Sequence, residues 1–383
     1  MTNRNCTTLA CRRGLLLALW AGSLVGSAAL ADDHALALPP IDALITDLGL
    51  IAGESPVRER ADWAPLRKVL VPDSDPQVLP QLRAAVPGVE FVVARDAADA
   101  ARLAPGVDAA VGFCTPELLA AAPKLRWIQS LSAGVERCVA IPAVHERKVL
   151  LTNMQRVAGP VMAEHVMAMM LAFSRNLHFY MPEQRAGRWS SEVPPPARSM
   201  TLQGKTVLVA GLGGIGTEVA RRAHAFGMKV TATRASGREG PPFVSYVGLP
   251  DELHVLAREA DFVVNTLPLT AQTRGLFDAK LFAAMKPGAI FVNVGRGGSV
   301  VQDDLVAALR SGRLAGAGLD VTEPEPLPAG HPLYSLPNVI LTPHVAADTD
   351  LGNVARWAIV RENLRRYAAG ESMLSEVVLE TGY

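Results

Sequence analysis

The sequence predicts an α/β fold in two domains, and three observations carry that expectation. Short apolar runs alternate with helical stretches, as they do when strands form a parallel sheet covered on both faces. The alternation comes in two series separated by a proline-rich loop. The second series opens on an apolar run that leads directly into a glycine-rich turn and a helix.

The chain begins with Arg4, Arg12 and Arg13, then an apolar run from Leu15 to Val25, then Ala29-Leu30-Ala31 before Asp32-Asp33. This is the layout of a secretory signal peptide over residues 1–31 with an A-x-A cleavage site. The paired Arg12-Arg13 resembles a twin-arginine signal. The expected location is periplasmic or secreted, and cytoplasmic if the start site is misassigned. The run is short and rich in small residues for a membrane-spanning helix, and no later stretch is long enough. No membrane partner is therefore expected after the signal is removed.

The whole chain has 383 residues and a formal net charge of zero. Residues 1–31 hold three Arg and no acid, so the remainder carries −3. Without a basic block, nucleic-acid binding has no support. Cys6 and Cys11 leave with the signal, and Cys114 and Cys138 remain. Two cysteines make no disulfide framework. Inert buried thiols are the expectation, although an oxidising periplasm would let them pair. No Cys/His spacing suggests a metal site.

Residues 32–64 have little pattern and read as an N-terminal extension. From there Lys68–Pro72, Phe91–Val93, Ala109–Phe113 and Leu125–Ser130 are strand candidates with Ala-rich helical stretches between them. Gly159–Leu177 is a helix candidate with Pro160 in its first turn, where a missing N–H costs nothing. Its methionines suit a core or a dimer contact. Residues 181–204 read as a loop. Six further strand candidates follow: Val207–Ala210, Lys229–Ala232, Phe262–Asn265, Ile290–Val294, Ala317–Asp320 and Val339–Thr342. Six strands with intervening helices suit one complete dinucleotide-binding unit. Leu351–Ala369 reads as an amphipathic helix.

The glycine-rich turn is Gly211-Leu212-Gly213-Gly214-Ile215-Gly216. Between a strand and a helix, G-x-G-x-x-G places a pyrophosphate on the helix N-terminus. Gly211 allows the turn, Gly213 the close approach of backbone to phosphate, and Gly216 the packing of helix on strand. At the end of the next strand a carboxylate normally accepts from the ribose 2′-OH of NAD. Here Arg234 follows the strand, with Ser236 and Arg238 nearby. A cation at this place holds a 2′-phosphate, so NADP is favoured over NAD as cofactor.

Three strand ends carry groups able to act on a ketone. Arg296 lies in Asn293-Val294-Gly295-Arg296-Gly297-Gly298, Glu325 in Asp320-Val321-Thr322-Glu323-Pro324-Glu325-Pro326, and His344 in Thr342-Pro343-His344-Val345-Ala346. Ligands of open α/β sheets collect at such ends, and an imidazole is the usual proton carrier near neutral pH.

With these segments and the fingerprint together, the chain closely resembles the D-isomer-specific 2-hydroxyacid dehydrogenases over roughly residues 65–383. The resemblance implies two Rossmann-like domains with parallel sheets. A substrate domain, residues 65–157 and 347–383, is interrupted by the dinucleotide-binding domain, residues 158–346. It also implies hydride transfer between NAD(P)H and a 2-keto acid or D-2-hydroxy acid, in the manner of glyoxylate/hydroxypyruvate reductases. Arg296 would orient the substrate, His344 would carry the proton, and Glu325 would tune the imidazole. Ser132-Ala133-Gly134-Val135-Glu136 resembles the substrate-carboxylate loop, with the backbone of Ala133, Gly134 and Val135 forming an anion nest. Asp320 matches the residue that binds the nicotinamide carboxamide, and its other reading is a turn cap. Val294, Gly295, Val345 and Ala346 would line the nicotinamide. Formate-oxidising relatives carry an amide where Glu325 stands, so formate is not the expected substrate. Relatives are usually homodimers, with the helix near Ala163–Leu177 in the contact. The alternative is a nucleotide-binding sensor or assembly protein that keeps the fold without turnover.

Overall fold

The computed structural model describes residues 40–74, 76–189 and 199–379. The signal segment and the loop around Pro194 lie outside them. Among the described residues twelve strands form two sheets, and every paired strand in both is parallel.

The first sheet contains β1 (Lys68–Pro72), β2 (Glu90–Ala94), β3 (Ala109–Val111), β4 (Trp127–Gln129) and β5 (Leu150–Thr152), in the order β2-β1-β3-β4-β5. Val69, Leu70 and Val71 are all buried, which is why β1 reads as a continuous apolar run rather than an alternating one. Only β5, a short strand at the edge of the sheet, was not among the strand candidates. The helix Asp350–Ala369 returns to this sheet. Its Ala358, Ile359, Val360, Leu364 and Tyr367 share a core with Val69, Val71 and Trp127. The Tyr367 ring stacks on Trp127 at 5.3 Å. Beneath, Trp127 Nε1 donates to Thr152 Oγ1 at 2.9 Å, and Asn363 Nδ2 to Gln129 Oε1 at 2.8 Å.

The stretch expected as an N-terminal extension enters the same core from Pro40 onward. A helix spans Ile41–Leu48, and Leu44, Leu50 and Val57 are buried. Ala52 bridges to Leu374. Ile41, Leu44, Ile45 and Leu48 stand at helical spacing, a short period that the reading of this stretch as an extension passed over. They meet the C-terminal helix only in three dimensions.

The second sheet contains β6 (Thr206–Ala210), β7 (Lys229–Thr233), β8 (Tyr246–Gly248), β9 (Phe262–Asn265), β10 (Ala289–Asn293), β11 (Leu314–Leu319) and β12 (Val339–Leu341). Their order is β12-β11-β10-β9-β6-β7-β8, so the chain reverses its direction of travel across the sheet between β6 and β9. Ligands of doubly wound sheets bind at that switch point. Six strands were expected, and the seventh, β8, is a three-residue edge strand. The helix Gly159–Ser174 buries Ala163, Val166, Met167, Met169 and Met170 in this core, so most of its methionines pack within the chain. It stops earlier than expected. Asn176 adopts φ +54°, a conformation Asn tolerates, and a second helix, Leu177–Arg185, follows where a loop was expected from residue 181. No helix among the described residues is long and apolar enough to cross a membrane.

Candidate active site

The glycine-rich turn leaves β6 and starts the helix Gly214–Ala225. At Gly216 a Cβ would come within 2.0 Å of the Gly211 carbonyl oxygen, so only glycine lets the helix sit against the turn. At Gly213 a Cβ would meet no protein atom within 4 Å, which leaves bare backbone at the helix N-terminus. Ile215 packs against the second core behind it. This cradle fits a dinucleotide pyrophosphate.

The end of β7 separates the two candidate arginines. Arg238 is occupied: its guanidinium pairs with Glu252 at 2.7 Å and donates to the Tyr246 hydroxyl at 2.9 Å. Arg234 meets no carboxylate among the described residues, and only its Nη1 is engaged, by the Glu239 carbonyl at 3.1 Å. The residue at the strand end is therefore the one with charge to spare for a phosphate.

Arg296, Glu325 and His344 converge on the wall of one cavity of about 950 Å³. His344 Nδ1 lies 2.8 Å from Glu325 Oε2, and Glu325 Oε1 accepts from the Thr322 N–H at 3.2 Å. A carboxylate only accepts, so Nδ1 carries a proton and Nε2 is the nitrogen left to exchange one. Arg296 Nε donates to Glu136 Oε1 at 3.1 Å, and its Nη1 to the Gly295 carbonyl at 2.8 Å. The guanidinium lies directly over Gly134, where a Cβ would come within 1.8 Å of Nη2. Any side chain at position 134 would push Arg296 aside.

Gly134 and Val135 line the cavity, and the exposed Ala133 beside them accepts from Asn153 Nδ2 through its carbonyl at 2.8 Å. Among the described residues no acceptor meets the N–H groups of Ala133, Gly134 or Val135. They remain available to an anion.

Asp320 shows the turn-cap geometry that was its other reading. It is buried, and its carboxylate accepts from Thr342 Oγ1 at 2.6 Å, Val345 N at 3.0 Å and Ala346 N at 3.1 Å. His165 joins from the helix Gly159–Ser174, its Nε2 3.0 Å from Thr342 Oγ1. Asp320 thus ties down the turn that carries His344, whose φ is +56°. The turn-cap reading describes this geometry. Val294 and Ala346, expected to line the nicotinamide, are buried members of the second core. Val345 contributes its N–H to Asp320, and Gly295 its carbonyl to Arg296.

Two features escaped the sequence reading. Glu136 was quoted only as part of a loop and proves to be the partner of Arg296. Cys114 and Cys138, expected as inert thiols, are bonded to each other with Cα atoms 5.5 Å apart. They follow β3 and β4, adjacent parallel strands whose ends lie on one edge, and both line the cavity. The signal for this pairing was the oxidising compartment implied by the N-terminal segment, weighed above as the alternative. No group of three or more His, Cys, Asp or Glu among the described residues could hold a metal ion.

A nucleotide cradle at the switch point and a carboxylate-held imidazole beside a guanidinium place the chain among the two-sheet dinucleotide-binding oxidoreductases. Comparison with known proteins narrows this. Residues 167–346 match the family model described as D-isomer specific 2-hydroxyacid dehydrogenase, NAD binding domain. The chain is 38% identical over 233 residues to glyoxylate/hydroxypyruvate reductase B of Escherichia fergusonii, covering 61% of this chain and 71% of that protein. Among solved structures, the NADPH-dependent glyoxylate/hydroxypyruvate reductase of Sinorhizobium meliloti, in complex with NADP and sulfate, has a TM-score of 0.72 and 32% identity, covering 83% of this chain and 100% of that one. A D-isomer specific 2-hydroxyacid dehydrogenase from Xanthobacter autotrophicus, solved with NADPH and MES, has a TM-score of 0.68 and 32% identity, covering 84% and 100%. The chain belongs to the D-isomer specific 2-hydroxyacid dehydrogenase family.

Proposed function

We propose that this protein reduces a small 2-keto acid to the D-2-hydroxy acid with NADPH, as a reductase of the glyoxylate/hydroxypyruvate type. The observation that carries the reading is the His344–Glu325 contact at 2.8 Å on the same cavity wall as Arg296. When bound, a reduced nicotinamide supplies the hydride. The turn Gly211–Gly216 holds the pyrophosphate and Arg234 the 2′-phosphate. The Arg296 guanidinium and the N–H groups of Ala133–Val135 receive the substrate carboxylate and leave the ketone facing His344. His344 Nε2 gives the carbonyl oxygen its proton, while Glu325 fixes the ring and balances the imidazolium.

The test is turnover with glyoxylate and hydroxypyruvate, followed at the nicotinamide absorbance with each nucleotide. NADPH should be the better cofactor. Arg234→Asp should raise the KM for NADPH by about 10- to 100-fold, the worth of a charge-assisted phosphate contact, and improve NADH. If the wild type reduces neither acid the reading fails. If the substitution leaves NADPH preferred, the 2′-phosphate is held elsewhere.

We also propose that the mature chain works as a periplasmic homodimer. Export is supported by the N-terminal pattern and by the Cys114–Cys138 bond, since disulfides persist in oxidising compartments. For the dimer contact the support shifts from the methionine-rich helix to its neighbour. Leu177 and Met181 on the helix Leu177–Arg185 are 46% and 51% exposed, apolar surface suited to a second copy. Sedimentation at the mass of one chain would exclude the dimer.

A further inference from the structure

A guanidinium that must meet a carboxylate and a ketone at once has to be held in one plane before substrate arrives. Arg296 is held at two of its three nitrogens, by acceptors from opposite sides of the cleft. The Gly295 carbonyl, beside the second sheet, takes Nη1, and Glu136, in the loop after β4, takes Nε. Nη2 is left over Gly134, next to the unpaired N–H groups of Ala133–Val135.

We propose that Glu136 is a positioning residue: its carboxylate turns the Arg296 guanidinium so that Nη2 faces the keto acid. This rests on the reading of Arg296 as the substrate-orienting group. Glu136 Oε2 overhangs Gly134 beside Nη2, 2.7 Å from where a Cβ would stand, yet the carboxylate bonds the guanidinium through Nε and accepts from none of the N–H groups of Ala133–Val135. The ion pair is also too exposed to be kept for stability, with side chains 31% and 44% accessible. What it fixes is orientation. Glu136 has a firm base for this, because Cys138 in the same short helix, Glu136–Val139, is bonded to Cys114.

Glu136→Ala and Glu136→Gln in the full mature chain test the assignment. Glu136→Ala should raise the KM for glyoxylate about tenfold with a smaller fall in kcat. The KM for NADPH and the unfolding midpoint should stay at the wild-type values. Glu136→Gln should recover most of the loss, because its amide oxygen still accepts from Nε. A KM that falls in either variant would show that Glu136 competes with substrate, and an unchanged KM, or a Gln variant no better than Ala, overturns the proposal too. Calorimetric binding of oxalate to the NADPH-loaded protein separates this result from the reductase reading. Tighter oxalate binding by wild type than by Glu136→Ala supports the positioning role even if no keto acid is reduced. Equal binding overturns it even if glyoxylate is turned over.

Discussion

Replacing His344 with Gln is expected to reduce kcat for 2-keto acid reduction by about 10²- to 10⁴-fold, the usual worth of a placed general acid. Glutamine fills similar space and can donate to Glu325, but its amide has no proton to exchange near neutral pH. The substitution leaves the scaffold in place. The turn is held by Asp320 through the N–H groups of Val345 and Ala346, and Glu325 keeps its bond from Thr322. The imidazole is also half exposed, its side chain 52% accessible, so little packing is lost. The unfolding midpoint and NADPH binding should therefore match wild type while turnover falls. A variant that keeps more than a tenth of the wild-type kcat would remove His344 from the chemistry. Glu325→Gln should fall between the two, since an amide can still orient the ring but cannot balance the charge it acquires.

Much of this could be read from the sequence because the responsible physics is local. A turn that needs bare backbone is written as glycines, and buried parallel strands as unbroken apolar runs. A side chain at the end of such a strand reaches the cleft by topology alone, which is why Arg296, Glu325 and His344 could be singled out. What stayed hidden depends on distance through space. β5 and β8 are short strands at the sheet edges, each held by the ladder of a single neighbour. Leu44, Leu50 and Val57 become core residues only when the helix Asp350–Ala369 arrives from the far end of the chain. Asp320 could be read as a ligand or as a cap, and its bonds from Thr342, Val345 and Ala346 appear only once β11 and β12 lie side by side. Glu136 meets a partner 160 positions away, and no spacing rule reaches that far.

The disulfide joins this hidden class to function. Cys138→Ser is expected to destabilise the oxidised protein by about 3 kcal/mol, the loop-closure entropy of a crosslink spanning roughly this many residues. The two cysteines are 24 positions apart, and the closed loop contains β4 and the whole substrate-carboxylate loop. Freeing the end of that loop also loosens the base of Glu136. The KM for glyoxylate should therefore rise along with the loss of stability, while NADPH, held by the other sheet, binds as before. Adding a thiol reductant to the wild type should reproduce both changes, and adding it to Cys138→Ser should change nothing further. The same bond reports the compartment. Protein alkylated in intact cells before any reduction should show no free thiol after signal removal, and it should fractionate with the periplasm. Recovery from the cytoplasm with both thiols alkylated would refute the export reading. It would also leave the cavity wall built from two separate cysteines, so that Glu136 would have to hold Arg296 from a mobile loop.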